Sequence, residues 1–226
     1  NYKKFYDSYI YNKKFKLPFI TGKIAISKDY YTINKRSKWI THERSQKITH
    51  FLRSINDCIF STSKTINKDN SLLNCRIDGL DNFNPDLFII DLNLKLKKHL
   101  LLNSLIKKRK TFLITNSKNL KKINFFKKKG FKFIFVKTLK SKNDFNLMFK
   151  KIYKLGYRRA FFETGLSFLN TLLHYNLINN LYILKNKKML KKNGLNNTSS
   201  QLLKRIKLKK KIKINLNSDT LYKKEF

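Results

Sequence analysis

The sequence predicts an α/β fold, in which a mostly parallel sheet is covered by helices on both faces and ends in an antiparallel strand pair. Short apolar runs alternate with segments of helical apolar spacing, the order typical of parallel sheets. The 226 residues include 41% hydrophobic residues, enough for a core, and only two prolines. No linker rich in Pro, Ser or Gly divides the chain. We therefore expect a lead-in segment over residues 1–17 and one domain over residues 18–226.

A series of apolar runs predicts the strands, because each run has strand length and is bounded by polar or turn-forming residues. These runs are Phe19–Ser27, Cys58–Phe60, Leu87–Ile90, Thr111–Ile114, Phe131–Val136, Ala160–Phe162 and Leu181–Leu184. The antiparallel pair is expected over Lys207–Leu216 and Leu221–Phe226, joined by an Asn-Ser-Asp turn.

Helical spacing of apolar residues predicts helices between these strands. Ile48, Phe51, Leu52 and Ile55 follow the i, i+3, i+4, i+7 pattern and predict a helix over Thr41–Asn56, with Thr41 as its N-cap. A second helix contains Phe145, Met148, Phe149 and Ile152 and ends at Gly156, and a third is expected over Gly165–Tyr175.

The chain is strongly basic, with 52 Lys and Arg against 13 Asp and Glu and a net charge of +39. Such a charge is typical of nucleic-acid-binding proteins when the basic residues cluster on one face. The lysines here accompany many Asn, Ile, Phe and Tyr residues, which share A- and T-rich codons, so the charge can equally reflect base composition. Dense basic runs occur only over 125–129 and 207–213, without the interleaved aromatics of an RNA-binding strand. We expect no nucleic-acid partner and keep a basic RNA-binding or ribosome-associated protein as the alternative.

Several other classes are excluded by composition. No apolar run approaches the roughly 18 to 20 residues of a membrane span, and two cysteines exclude a disulfide framework. The four histidines have no metal-ligand spacing among themselves or with the cysteines. We expect a cytoplasmic protein with no membrane partner and no metal. The cysteines are Cys58 and Cys75, and the histidines are His42, His50, His99 and His174.

Polar residues gather where predicted strands end, which is where open α/β sheets bind their ligands. These places are Ser27–Asp29, Ser61–Asp69, Asp91 and Glu163–Gly165. At the last of them a glycine opens a helix, and a helix N-terminus favours an anion such as phosphate; an ordinary strand-to-helix turn explains the same residues. The glycine patterns of a Rossmann site and of a P-loop are missing from the sequence.

The order of these motifs resembles the C-terminal reductase domain of the bifunctional riboflavin-biosynthesis (RibD) family. The resemblance covers about Pro18 to the C-terminus, and it is specific over 18–76 and 159–184. The matching stretches are Lys23–Asp29, Ser37–Thr41, Leu52-Arg53, Asp57–Ile59, Thr65-Ile66, Asp69-Asn70, Leu73–Arg76, Pro85–Asp91, Phe162–Leu169, Leu172-Leu173 and Leu177–Leu181.

The resemblance implies a dihydrofolate-reductase-like three-layer fold and a reductase that uses NADPH. The implied reaction reduces the ribosyl group of a phosphoribosylamino-pyrimidine to ribityl, and hydride chemistry belongs to the cofactor, so no catalytic residue is assigned. The implied substrate contacts are Ser37, Arg53, Leu73, Arg76 and Glu163. The implied cofactor contacts are Ala25, Trp39, Thr65, Asp69, Leu92, Gly165, Leu166, Ser167, Phe168, Leu169, Asn170 and Thr171. The family also implies a homodimer and a deaminase domain earlier in the same longer chain, which agrees with a first residue other than Met.

The residue types suit these roles. Only eight of the 52 basic residues are Arg, and a drift toward A- and T-rich codons would have replaced an arginine without a role by lysine. Arg53 and Arg76 therefore indicate a functional site, and their planar guanidinium groups suit a phosphate. Trp39 is suited to a cofactor ring, or else to the core, and Glu163 to a sugar hydroxyl or the pyrimidine edge.

The sequence also departs from the family pattern. Asp29-Tyr30 replaces Asp-Gly, and we expect this turn to differ because Tyr does not adopt a positive φ at low cost. Thr164 replaces a glycine, and Leu166 replaces a proline. These changes leave a further alternative, a degenerate reductase-fold domain or one with another substrate.

Overall fold

The computed structural model describes residues 6–80 and 83–226. Its strands are β1 (Phe19–Ile26), β2 (Ile33–Asn34), β3 (Cys58–Thr62), β4 (Asp86–Ile90), β5 (Thr111–Thr115), β6 (Lys132–Phe135), β7 (Arg159–Phe162), β8 (Asn180–Asn186), β9 (Gly194–Leu195), β10 (Lys211–Ile212) and β11 (Asp219–Glu225). Its α-helices are α1 (Asp7–Phe15), α2 (Glu43–Ser54), α3 (Ser63–Asp69), α4 (Leu120–Lys128), α5 (Lys142–Lys154), α6 (Leu166–His174) and α7 (Gln201–Arg205). Short 3₁₀ helices occur at Leu101–Leu105 and Lys191–Asn193.

The described chain divides into two compact units, one formed by residues 6–19 and 53–161 and the other by residues 20–52 and 162–226. In the first unit the strand order is β7-β3-β4-β5-β6, and β3 to β6 pair in parallel. In the second unit the order is β10-β11-β8-β1, with β1 parallel to β8 and β11 antiparallel to both of its neighbours. The predicted fold class is confirmed: a mostly parallel α/β sheet with antiparallel strands at the C-terminus.

A column of aromatic rings forms part of the core of the first unit. Phe60, Phe88 and Phe112 occupy matching register positions on β3, β4 and β5, and their rings stack at 4.8 and 4.5 Å, close to the spacing of adjacent strands. Tyr157 lies edge-on to Phe88 and donates a 2.5 Å hydrogen bond to Asp86. Burial and this hydrogen bond raise the pKa of the Tyr157 hydroxyl. The column therefore fixes the strands whose carboxyl ends carry the polar loops.

The predicted strands are confirmed, each within two residues at either end. The exception is the first strand of the C-terminal pair, predicted over Lys207–Leu216 and observed only at Lys211–Ile212. Lys211 and Ile212 pair with β11, and the Lys210 carbonyl accepts one more bond from the Lys223 N–H at 3.0 Å. The chain turns on either side of this stretch, through Lys209 N–H to the Lys207 carbonyl and Asp219 N–H to the Leu216 carbonyl.

Helix α1 lies inside the expected lead-in segment, where the sequence shows no apolar stripe. Its buried residue is Asn12, whose side-chain amide donates to the carbonyls of Leu17 (2.7 Å) and Arg158 (3.1 Å). Tyr9 and Ile10 are exposed. In this helix the buried contact is therefore made by a polar side chain, whereas apolar side chains face the solvent. Residues 1–5 of the expected segment lie outside the described residues.

Helix α2 begins at Glu43, two residues after the predicted N-cap Thr41. The carboxylate of Asp219 accepts hydrogen bonds at this end from the His42 N–H (2.6 Å) and the Ser45 hydroxyl (2.5 Å). A side chain distant in sequence thus stabilises the helix start, which local capping rules do not reveal.

The predicted apolar face of α2 is only partly buried. Leu52 is buried as expected, but Phe51 is 50% exposed, and Ile55, just beyond the helix, is 38% exposed. His50 and Arg53 are buried instead. The apolar residues whose spacing predicted this helix are thus only partly in the core, because the helix turns a polar stripe inward.

Candidate functional site

Three of the predicted substrate residues, Arg53, Leu73 and Arg76, come together in the first unit around Asn74. Arg53 donates through Nη1 to the backbone carbonyl of Asn74 at 2.6 Å, and Arg76 donates through Nη1 to its side-chain Oδ1 at 2.8 Å. Arg53 is buried, whereas Arg76 is exposed. Two guanidinium groups that contact one residue place planar, permanently charged donors in one region, which is the chemistry that binds phosphate.

Leu73 occupies an unusual backbone conformation. Its φ is 51°, in the left-handed region that non-glycine residues avoid, and its side chain is 2% exposed. Its carbonyl accepts a 2.6 Å hydrogen bond from Arg109, a residue that the sequence interpretation did not single out. The available signal was that Arg109 is one of only eight arginines in a lysine-rich chain.

The predicted cofactor residues Thr65 and Asp69 lie on helix α3, directly after strand β3. Thr62 caps this helix, because its hydroxyl oxygen accepts from the Thr65 N–H at 3.2 Å and lies 3.0 Å from the Thr65 hydroxyl. Thr65 is therefore fixed in the first turn. Asp69 is the last residue of the helix, before Asn70 with φ 44°.

A buried carboxylate organises the loop after β4. Asp91 accepts hydrogen bonds from the Ser63 hydroxyl (2.9 Å) and from the backbone N–H groups of Lys95 (2.8 Å) and Leu96 (2.7 Å). Asn67 adds two bonds to the same loop, with the Lys95 carbonyl and the Lys97 N–H. This network ties helix α3 to the loop that contains Leu92.

Leu92, the next predicted cofactor residue, has a fixed backbone. Its carbonyl accepts from the Thr115 hydroxyl at 2.8 Å and from the Asn116 N–H at 3.2 Å. The carboxyl ends of β4 and β5 are therefore linked at this residue.

In the second unit, Ala25 lies on β1 opposite Leu184 of β8. Beyond β1, the Ser27 hydroxyl donates a 2.6 Å hydrogen bond to Asp29, which also accepts from the Leu190 and Lys191 N–H groups. The sequence interpretation selected Ser27–Asp29 as a possible ligand contact. The structure shows these side chains holding the 190–191 turn.

The turn after Asp29 corrects one sequence-based expectation. Tyr30 has φ 64°, so it does adopt the left-handed conformation that was expected to be avoided. Its ring is covered by the Lys185 ammonium at 4.2 Å, and its carbonyl accepts from Asn196. These contacts stabilise a conformation that costs about 1 kcal/mol in a residue with a side chain.

Ser37 and Trp39 are both exposed, on the segment that precedes α2. The Ser37 hydroxyl oxygen accepts from the Trp39 N–H at 3.2 Å. The Trp39 indole is 51% exposed, with the Lys38 ammonium 5.4 Å from its ring centre. Trp39 is thus not a core residue of the described chain, and its ring remains accessible for stacking.

Glu163 and the stretch Gly165–Thr171 follow strand β7. Glu163 is half-buried, and Gly165 is the exposed N-cap of helix α6, with a φ of −70° that any residue adopts. Leu166 and Leu169 are buried, whereas Ser167 is exposed, and Phe168 stacks on Phe162 at 6.3 Å. The helix start therefore presents backbone and small polar groups, while its leucines fill the core. Asn170 donates to the Ser199 carbonyl, and Thr171 to the Ser167 carbonyl.

Two structural findings concern other kinds of site. Among residues 6–80 and 83–226, no group of three His, Cys, Asp or Glu side chains is placed to hold a metal ion. Within the same ranges, no helix combines the length and the apolar character required to cross a membrane.

Comparisons with known proteins agree with this fold. RibD from Acinetobacter baumannii has 16% sequence identity and a TM-score of 0.77, over 98% of this chain and 61% of that protein. A bifunctional deaminase and reductase from Thermotoga maritima has 19% identity and a TM-score of 0.73, over 98% and 60%. Riboflavin Biosynthesis Reductase Rib7 from Saccharomyces has 20% identity and a TM-score of 0.74, over 99% and 98%.

The chain thus spans about 61% of the length of the Acinetobacter protein, whereas it matches the yeast protein over nearly its whole length. No curated protein matches it by sequence. The family model of the RibD C-terminal domain matches residues 18–215, which include every predicted site residue. The chain therefore belongs to the RibD C-terminal domain family.

Proposed function

We propose that the chain is a pyrimidine reductase of riboflavin biosynthesis, which uses NADPH to reduce the ribosyl group of 5-amino-6-(5-phosphoribosylamino)uracil to ribityl. Family membership supports the reaction class. One structural observation carries the substrate class: Arg53 and Arg76 both contact Asn74, which suits a phosphorylated substrate.

The proposed substrate roles follow from side-chain chemistry. Arg53 and Arg76 bind the phosphate, Glu163 accepts a hydrogen bond from a sugar hydroxyl or the pyrimidine edge, and Ser37 and Leu73 position the remainder. Because Arg53 is already held by the Asn74 carbonyl, its guanidinium is oriented before substrate binds. A preoriented cation loses less conformational entropy on binding.

The residues present fit a nicotinamide dinucleotide. Helix α6 begins without a side-chain cap, so its first N–H groups suit a diphosphate, and the exposed Trp39 suits a planar ring. Thr65 offers a hydroxyl in the first turn of α3. NADPH, when bound, supplies the hydride. The proposed contacts are Ala25, Trp39, Thr65, Asp69, Leu92, Gly165, Leu166, Ser167, Phe168, Leu169, Asn170 and Thr171.

The assembly and location are part of the same proposal. We propose a cytoplasmic homodimer whose gene also encodes a deaminase domain. The lengths of two similar proteins support the deaminase domain. The chain spans only 61% of RibD from Acinetobacter and 60% of the Thermotoga deaminase and reductase.

The proposal is tested by mixing the purified chain with NADPH and the deaminated pyrimidine while the absorbance of the reduced nicotinamide is followed. Substrate-dependent oxidation with a ribityl product is expected, and NADH in a parallel assay measures the cofactor preference. Without turnover, salt-sensitive RNA binding would favour the basic RNA-binding alternative, and the absence of both would favour a degenerate domain.

The phosphate role is tested with Arg76→Ala. This change removes the exposed guanidinium that contacts the Asn74 side chain, and we expect the substrate KM to rise about tenfold. Arg205→Ala is the matched control, because it removes the same charge from an exposed position on α7. Equal KM values for the two variants would contradict the assignment.

A further inference from the structure

The segment Leu72–Arg76, here called the 72–76 segment, has neither helical nor strand structure, yet it carries two proposed substrate contacts. Within it Leu73 has φ 51°, a conformation disfavoured by its own Cβ atom. Something outside the segment must therefore hold it in place.

At Leu72 and Leu73 that restraint is one buried guanidinium, whereas the Asn74 carbonyl is held by Arg53. Arg109 donates through Nη2 to the Leu72 carbonyl at 2.5 Å and through Nη1 to the Leu73 carbonyl at 2.6 Å, with a longer bond of 3.3 Å to the Pro85 carbonyl. The two short bonds reach successive carbonyls, one from each terminal nitrogen. This forked geometry is available to arginine and not to the single ammonium of lysine.

Burying the charged guanidinium of Arg109 is unfavourable for the fold unless hydrogen bonds or an opposite charge compensate for its lost hydration. Its side chain is 6% exposed, and its Nε has no hydrogen-bond partner within the described residues. Burial and the nearby Arg53 charge lower the pKa of Arg109 to about 10, although Asp86 acts in the opposite direction. In a chain with 52 basic residues of which only eight are Arg, an arginine in such a position is notable.

The contacts of Arg109 also bear on the two proposed phosphate ligands. Leu73 is followed directly by Asn74, whose carbonyl holds Arg53 and whose side chain contacts Arg76. A change in the backbone at Leu73 therefore moves the residue on which both arginines converge.

We propose that Arg109 is a positioning residue for substrate binding, which holds Leu73 in the left-handed conformation and thereby sets Asn74, Arg53 and Arg76. The proposal rests on the proposed function, because Arg53, Leu73 and Arg76 are substrate contacts only there. Arg109 itself contacts backbone carbonyls, and its effect on substrate passes through the 72–76 segment.

The test is Arg109→Lys, which keeps the charge but loses the fork. We expect the substrate KM to rise about tenfold, while the KM for NADPH and kcat stay within about twofold of wild type. The matched control is Arg158→Lys, since Arg158 is exposed and its Nη1 donates to the single carbonyl of Tyr153. The control is expected to retain wild-type values.

A second readout does not depend on activity. Amide hydrogen exchange in Arg109→Lys is expected to be at least about tenfold faster over residues 73–76 and unchanged in β4, because only the segment loses its anchor. General destabilisation would instead accelerate exchange in both regions and change both KM values, and that result would overturn the proposal.

The outcomes separate this proposal from the proposed function. If wild type turns over substrate and Arg109→Lys has an unchanged substrate KM, the positioning role is wrong and the function stands. If wild type shows neither turnover nor substrate binding, the proposed function and the substrate part of this proposal fail together. Exchange over residues 73–76 then decides whether Arg109 holds the segment at all.

Discussion

Two irregular stretches of the first unit are each held by one buried ion, and they differ in how that ion is used. The loop 92–97 is held by Asp91, which accepts from three donors. The 72–76 segment is held by Arg109, which donates to carbonyls. Asp91 directly precedes its loop and lies four residues from Lys95, whereas Arg109 lies 36 residues from Leu73.

The difference concerns redundancy. The loop 92–97 has a second anchor in Asn67, whose side chain both donates to and accepts from its backbone. In the 72–76 segment the second contact, from Arg53 Nη1 to the Asn74 carbonyl, does not reach the strained Leu73, whose carbonyl depends on a cation that is itself incompletely hydrogen-bonded. A local, doubly anchored loop should therefore tolerate the loss of a side chain better than the 72–76 segment.

The largest expected effect is that of Arg109→Met, which fills the same space without donors. The buried Leu73 carbonyl and the partly buried Leu72 carbonyl then lose this donor, and we expect the free energy of unfolding to fall by about 3 kcal/mol. Urea denaturation followed by circular dichroism measures it. A loss no greater than that of Asp91→Asn would contradict the proposed difference between the 72–76 segment and the loop 92–97.

Asp91→Asn should have a smaller effect, of about 2 kcal/mol. The amide oxygen still accepts one hydrogen bond, but the amide nitrogen faces a donor such as the Leu96 N–H. The same urea titration measures the loss, and exchange rates of the Lys95 and Leu96 amides show whether it is local.

Asn67→Ala removes the second anchor of the loop 92–97, and we expect a loss of about 0.5 to 1 kcal/mol, because its contacts are near the surface. Combined with Asp91→Asn, the loss should exceed the sum of the two single losses, since each anchor compensates for the other. Strict additivity in the double-mutant cycle would show that the two anchors act independently.

The smallest effect concerns pH and a third anchored turn, in the second unit. Partial burial would raise the pKa of Asp29, but hydrogen bonds from the Ser27 hydroxyl and the Leu190 and Lys191 amides hold it below its ordinary 3.8. Its stabilising contribution is therefore present above the ordinary pKa and is lost as the pH falls through the lowered value. Asp29→Asn should be slightly less stable than wild type at neutral pH and equal to it in strong acid. Thermal unfolding over this pH range measures the difference.

The sequence predicted most strands because fully buried strands form continuous apolar runs that need no tertiary information. It did not predict α1, where the buried contact is made by Asn12 and the apolar Tyr9 and Ile10 are exposed. The start of α2 was placed too early because its stabilising carboxylate, Asp219, lies far away in the chain.

The residues of the candidate site stay a prediction from family motifs, and those motifs carried no information on the backbone conformation found there. Tyr30 and Leu73 both have positive φ values that propensity argues against. In each case the compensating contact comes from a distant residue, Lys185 for Tyr30 and Arg109 for Leu73. Such pairs become visible only when the chain is folded.

The two cysteines, both buried and not joined in a disulfide, give the first unit a pair of built-in chemical reporters. Cys58 lies in strand β3, where burial raises the pKa of its thiol, so a thiol reagent reaches it only when the strand opens. Cys75 lies within the stretch that Arg109 anchors. The labelling rates of the two thiols therefore separate a local excursion beside the proposed substrate arginines from the unfolding of the sheet, without any engineered probe.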